Sequence, residues 1–370
     1  MGIPIKELTV EGFKSIRKLE KFELRNLNVL IGANGAGKSN FVDVFRLLRP
    51  LASRNLRGYV EELGGADGLL FGGPKMTSQL VLQFRFGSDL IGLVFRPTAD
   101  NRFTIASEVL GDPQGNYHSW RTNGLQFESE LKELVDDETA INYPQGVGNR
   151  LRDAIAERMV YHFHDTSALS PMRRDQSVDD STHLRSDGGN IAAFLSGLRD
   201  SQPHDYAFIR DTVRIVAPFF DDFTLKRRRL GQETKVSLDW LQRGSDFPFQ
   251  AWHLSDGTLR FVCLATSLLQ PAPPRTIVID EPELGLHPHA LEVLAGLLQK
   301  ASQRVQVIVS TQSAPLLSQF EPEDVITVTR RAGASEFGRL DRKDLAEWMK
   351  DYTLGELWQK NVVEAGASDD

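Results

Sequence analysis

The chain has one cysteine, Cys263, in 370 residues. That excludes an internal disulfide framework. Its place in FVCLATSLL predicts a buried helical residue rather than a reactive thiol. No uninterrupted apolar run is long enough to span a bilayer, and the N-terminal MGIPIKELTVEGF lacks the apolar region of a secretory signal. The expectation is a cytoplasmic protein with no membrane partner. An excess of positive charge is missing as well. The formal net charge is −7, which excludes a generally basic nucleic-acid coat but leaves room for local stripes. Lys226-Arg227-Arg228-Arg229 is one candidate DNA or RNA contact and Arg173-Arg174 another; a solvated face is the bland alternative for each. No repeat, low-complexity tract or sustained heptad pattern is visible, so a long coiled coil is excluded. The length suits one large domain with insertions, or two domains.

Against those absences stands Gly32-Ala-Asn-Gly-Ala-Gly-Lys38-Ser39, a complete G-x-x-x-x-G-K-[ST] phosphate loop. An apolar strand pattern, Leu27 to Ile31, precedes it and a helix pattern, Phe41 to Leu48, follows. The glycines let successive backbone N–H groups of Asn34, Gly35, Ala36, Gly37, Lys38, Ser39 and Asn40 converge on phosphate oxygens at a helix N-terminus. Lys38 is expected to reach the β- and γ-phosphates of ATP, and Ser39 to offer a hydroxyl to Mg²⁺.

The rest of the chain alternates in character. Strands are expected at Glu7 to Phe13 and Phe22 to Ile31. The runs LVLQFRF, LIGLVFR, FTIASEVL and NYHSWR predict an antiparallel meander. Helical patterns follow at Glu128 to Val135 and Gly148 to Glu157, then a buried strand in MVYHFHD. Ser170 to Asn190 reads as a mobile, turn-rich loop. A helical stretch from Ile191 to Phe219 is interrupted near Pro203, and a hairpin turns at Gly231-Gln232. Beyond Trp252 the pattern becomes α/β: helix Asp256 to Leu269, strand Thr276 to Asp280, helix Pro288 to Ala301, strands Val305 to Ser310 and Asp324 to Thr329. The nucleotide core is therefore expected to be split by an insertion. The division is 1–125 for its first part, 126–250 for a mainly helical insertion with a β hairpin, 251–335 for its second part and 336–370 for a tail.

Thr276-Ile-Val-Ile-Asp280-Glu281 is a buried strand ending in two carboxylates, which point different ways at a strand end. Asp280 is expected to hold the Mg²⁺ shell, and Glu281 to position or deprotonate the attacking water. Leu254-Ser255-Asp256-Gly257-Thr258 opens the helix before it. Ser255 and the Gly257 backbone there would form a second anion-binding nest, although Ser and Asp are also ordinary helix caps. STQS, Ser310 to Ser313, follows the next strand. The stretch His164-Asp165-Thr166-Ser167 is a candidate loop sensing Mg²⁺ and water, while structural hydrogen bonding is the bland reading of His162 and His164.

EGFKSI, GANGAGKSNF, LSDGT, IDEPELGLHP and STQS together resemble the RecF/SMC-like branch of ABC-type ATPases, including stand-alone ATPases related to those of overcoming-lysogenization-defect and antiphage systems. The resemblance covers roughly the first 50 residues and Trp252 to Thr329. It implies an α/β fold: a mixed sheet with flanking helices, an N-terminal antiparallel β part and a helical/β insertion. It implies Mg-ATP bound in composite sites of an ATP-dependent homodimer, with Ser255 and Gly257 closing on the partner's nucleotide. Where such proteins usually carry a switch histidine, this chain has Gln312, which can hydrogen-bond but cannot carry a proton as imidazolium. The resemblance further implies a nucleic-acid-directed partner, such as a separate toprim-like effector, in antiphage defence or DNA maintenance. A nucleotide-gated scaffold with slow turnover and a transporter ATPase are the alternatives.

Overall fold

In a computed structural model the described residues are 4–111, 117–121, 127–128, 155 and 157–363. The helices expected at Glu128 to Val135 and Gly148 to Glu157 lie almost wholly outside them. Two compact units are present. Unit 1 comprises Met1–Met159, Pro274–Val278 and Arg304–Asp370; unit 2 comprises Val160–Pro273 and Ile279–Gln303.

Unit 1 holds an antiparallel sheet made of β1 (Ile5–Phe13), β2 (Ile16–Glu23), β4 (Leu80–Phe86), β5 (Asp89–Pro97), β6 (Phe103–Gly111) and β7 (Tyr117–Arg121), in the order β2-β1-β4-β5-β6-β7. This is the expected meander with the N-terminal hairpin added at one edge. Residues of β4 alternate between buried and half-buried, as a one-faced sheet requires. The second sheet is built on β3 (Leu27–Ile31), flanked by β16 (Gln306–Thr311) and β17 (Val325–Arg331). Both neighbours run parallel to β3. Every residue of β3 and β16 is buried, hence their near-continuous apolar runs. β18 (Ala334–Arg339) adds antiparallel to β17. The full order is β18-β17-β3-β16-β15-β8, with β15 (Thr276–Asp280) and β8 (Arg158–Tyr161) each passing from one unit to the other along its length.

The single strand expected from Phe22 to Ile31 is two strands. Between β2 and β3 the Asn28 side chain builds a turn: Arg25 N donates to Asn28 Oδ1 (3.0 Å), and Asn28 Nδ2 donates to Arg25 O (2.6 Å).

Unit 2 contains the helices Ile191–Ser201 and Pro203–Val216, split at Pro203 as expected. It also contains two small sheets. One is β10 (Phe220–Phe223), β13 (Trp240–Gln242) and β14 (Pro248–Phe249); the other is β11 (Arg227–Leu230), β12 (Glu233–Val236) and β9 (Gln176–Ser177). The hairpin β11–β12 turns through Gly231 at φ 66°. The stretch Ser170 to Asn190 is more than a loop. It carries a 3-10 turn at Pro171–Arg173 and β9, and the buried Gln176 accepts from Ala192 N and Ala193 N. Helix Asp256–Leu269 is buried at every position from Leu259 onward. Cys263 sits inside it, and burial pushes its thiol pKa up, as expected of a packing cysteine. Among the described residues no helix is long and apolar enough to cross a membrane.

Candidate nucleotide site

In unit 1, β3 delivers the chain to Gly32, where a Cβ would lie 2.3 Å from Val328 O. Only glycine lets the loop backbone press against β17 there. Gly35 (φ 77°) and Gly37 (φ 115°) take left-handed conformations that turn the loop inward. Helix Lys38–Arg46 then starts without a side-chain cap, and its first bond runs from Phe41 N to Gly37 O (3.0 Å). The helix leaves its positive end facing the loop. Lys38 is 4% exposed, and its Nζ donates to Gly32 O (2.8 Å) and Ala33 O (3.2 Å). The ammonium thus lies within the curl of its own loop. Asn34, Gly35 and Ser39 are exposed and Ala36 is buried.

A relay of hydrogen bonds holds this curl. Ser335 Oγ donates to Ala36 O (2.5 Å), so Ser15 Oγ donates to Ser335 Oγ (2.7 Å) and receives from Asn40 Nδ2 (2.6 Å). Arg330 Nη1 donates to Gly35 O (3.1 Å). A Cβ on Gly37 would fall 2.0 Å from Ser335 Oγ. Sequence reasoning missed Ser15, Arg330 and Ser335 as supports, because nothing local in the chain marks a hydroxyl that meets the loop from 299 residues away. Gln312 follows β16, and the register Thr311↔Ile31 sets it level with the start of the phosphate loop.

Unit 2 carries the other predicted residues. Asp280 is 7% exposed at the end of β15, and Glu281 follows at φ 44°. A left-handed glutamate is an uncommon backbone state, and such outliers gather at functional sites. His164 Nε2 donates to Asp280 O (2.8 Å), which assigns the ring its tautomer and supports the structural reading of that histidine. Ser255 is exposed and caps its helix, accepting from Thr258 N (3.2 Å). Arg173 braces the approach to Ser255. It donates to Ala251 O (2.5 Å) and Leu254 O (3.2 Å) and pairs with Asp256 (2.8 Å).

The loop fits a nucleotide phosphate chain, since its donors, left-handed glycines and cation converge without a competing cap. Ser39 and Asp280 are hard oxygen donors suited to Mg²⁺. Among the described residues no group of three or more His, Cys, Asp or Glu could hold a metal unaided.

The family described as "AAA domain, putative AbiEii toxin, Type IV TA system" matches residues 27–318, from β3 to just beyond Gln312. The chain belongs to this family. Over 115 residues it is 45% identical to the chromosome partition protein Smc of Desulfitobacterium hafniense (strain Y51), a match covering 30% of the chain and 9% of that protein. The chain therefore spans only a small part of that relative's length. Its fold is that of Smc head domains. One solved head, bound to the C-winged helix domain of ScpA, superposes with TM-score 0.52 at 17% identity, covering 94% of this chain and 99% of that one. Another, with an extended coiled coil and bound to the C-terminal domain of ScpA derived from Pyrococcus furiosus, gives 0.55 at 15% identity with the same coverage.

Within this AAA-family chain, Gly257 has a role that the LSDGT pattern did not reveal. A Cβ there would lie 2.2 Å from Gly285 O, so the signature turn packs backbone to backbone on the turn that follows Glu281. Arg260, 7% exposed, ties the same parts together. Its guanidinium donates to Phe163 O (2.9 Å), His164 O (3.2 Å) and Leu284 O, and burial lowers its pKa. Gly257→Ala is expected to destabilise the protein by about 1–3 kcal/mol, the usual cost of overpacking against unyielding backbone. The check is the urea midpoint, which should drop at constant slope; an unmoved midpoint would show that the two turns can separate freely.

The basic cluster is partly committed to structure. Arg227 donates to Ser196 Oγ (2.9 Å) and pairs with Asp200, and Arg228 lies 3.5 Å from Asp239. Lys226 and Arg229 are exposed. The Arg173 guanidinium is already engaged by Ala251 O, Leu254 O and Asp256.

Proposed function

We propose that the chain binds Mg-ATP at the phosphate loop and hydrolyses it within an ATP-dependent homodimer, using that cycle to control a nucleic-acid-directed partner. The observation that carries the reading is the braced loop, with the Lys38 ammonium inside its curl and an uncapped helix end behind it. Lys38 and the backbone N–H groups of residues 34–40 hold the phosphates. Ser39 and Asp280 would offer oxygen ligands to Mg²⁺, which would supply charge to offset the phosphates. Glu281 orients the water and takes its proton. Gln312 hydrogen-bonds the γ-phosphate or that water without carrying a proton. Turnover can therefore be slow, and a nucleotide-gated scaffold stays compatible with the same site.

The family description names a toxin–antitoxin system, and the Smc heads similar to this chain are bound to ScpA domains. Both favour a protein partner, a separate effector, in defence or DNA maintenance. Lys226 to Arg229 and Arg174, all of them exposed, are the residues proposed for direct nucleic-acid contact.

Ser255 and Gly257 are assigned to the nucleotide held by the second copy, across a two-fold isologous interface. Ser255→Arg should leave ATP binding by the monomer intact and block dimer closure, because a long cation replaces a small exposed hydroxyl. Mixed with Lys38→Ala protein, it forms heterodimers in which one site carries both lesions and the other neither. ATPase activity should partly return on mixing. ATP-driven dimerisation that survives Ser255→Arg unchanged in light scattering would reject the assignment.

A further inference from the structure

Past β18 the chain folds into the helix Leu354–Gln359, where Leu354 and Leu357 are buried. Gly355 in this helix is buried with no positive φ. It is glycine for space, not for backbone freedom. A Cβ would lie 2.1 Å from Ala314 O, 2.7 Å from Ala314 C and 2.4 Å from Ser318 Oγ. Ala314 opens the helix Ala314–Leu317, two residues after Gln312. The helix backbones are therefore in direct contact just downstream of the switch position.

One further contact joins the same parts, from Ser318 to Thr353, and others fix each part by itself. Ser318 Oγ lies 2.9 Å from Ala314 O and 3.1 Å from Thr353 Oγ1, its one proton able to serve either. Thr353 caps the tail helix in a reciprocal box with Glu356, which fixes where that helix begins. On the other side, Ser313 is held from both ends. Its N–H donates to Thr311 Oγ1 (3.0 Å) and its carbonyl accepts from Leu317 N (2.8 Å). Gln312 has a strand end before it and a clamped turn after it.

We infer that the tail helix is a clasp that sets the position of Gln312, with Gly355 as its positioning residue. Gly355 fixes how closely Ala314 sits to the tail, and Ala314 fixes Gln312 through Ser313. The inference rests on the reading that Gln312 meets the γ-phosphate or the attacking water. It goes beyond that reading by making turnover depend on a segment that touches no nucleotide.

The test is Gly355→Ala in the full chain. Without nucleotide, amide exchange across residues 311–319 should rise about tenfold or more, since the added methyl must lift one helix from the other. ATP affinity by calorimetry should be unchanged, while kcat falls about 10–100-fold, the scale of an ångström-sized misplacement. In a Gln312→Ala background, Gly355→Ala should lower kcat no further, because both changes act through one side chain. A merely structural glycine would give additive losses. Unchanged exchange over 311–319 in folded Gly355→Ala protein, or additive kcat losses, overturns the clasp. If Gly355→Ala does not fold, Thr353→Ala removes the cap and the Ser318 contact and is read in the same way. Should Gln312→Ala leave turnover unchanged, the role given to Gln312 fails, and the exchange result still decides the clasp.

Discussion

Glu281→Gln protein is expected to bind ATP as tightly as the wild type and to hydrolyse it about 10²–10⁴-fold more slowly, the range that a positioned general base supplies. The substitution keeps the side chain's size and removes only its capacity to take a proton. Glu281 stands at φ 44°, and a β-carbon in that region is disfavoured for glutamate and glutamine alike, so the change leaves the local strain as it was. Asp280, buried at the strand end with its carbonyl held by His164, is untouched by the change. Single-turnover hydrolysis, with binding measured separately by calorimetry, is the direct check. Undiminished turnover in Glu281→Gln protein would move the base to another residue.

Lys38→Ala should weaken ATP binding by about 10–100-fold, the value of a charged hydrogen-bonding group lost from a phosphate site. Lys38 is nearly buried, and its ammonium already answers two carbonyls of the loop. Truncation removes the cation facing the phosphates and leaves Gly32 O and Ala33 O without that donor. A stability loss of about 1–3 kcal/mol should accompany the affinity loss. Thermal melting separates the two effects, because only the affinity term depends on nucleotide concentration. Equal ATP affinity in a folded Lys38→Ala protein would sink the loop assignment.

What could be read from residue order alone was what is local. The phosphate loop, the strand Thr276–Asp280 and the helix Asp256–Leu269 each carry their signal within a dozen or so residues, and the structure places those elements at the expected bounds. The antiparallel meander was legible from alternation. The supports were not. Ser15, Arg330 and Ser335 matter because distant strands bring them to the loop. Gly257 and Gly355 read as a motif position and a tail residue, yet each is needed because another stretch of backbone passes within van der Waals distance. A basic run such as Lys226 to Arg229 shows charge, but sequence does not show that Asp200 and Asp239 already face two of its members. Tertiary approach decides these cases, and no window along the chain contains it.

The placement of β3 has a consequence for how the protein is made. Its two flanking strands are β16 and β17, and the hydroxyl that holds Ala36 belongs to Ser335, 299 residues further on. At ribosomal speeds of about 5–20 residues per second, the phosphate loop waits roughly 15–60 s for its last support to emerge. The hairpin β1–β2 and the meander behind it can pair within that interval, since their partners lie nearby in the chain. A ribosome-bound or prematurely terminated chain ending before β17 is thus left with an open loop. The brace from Ser335 arrives 299 residues after the loop residue that it holds.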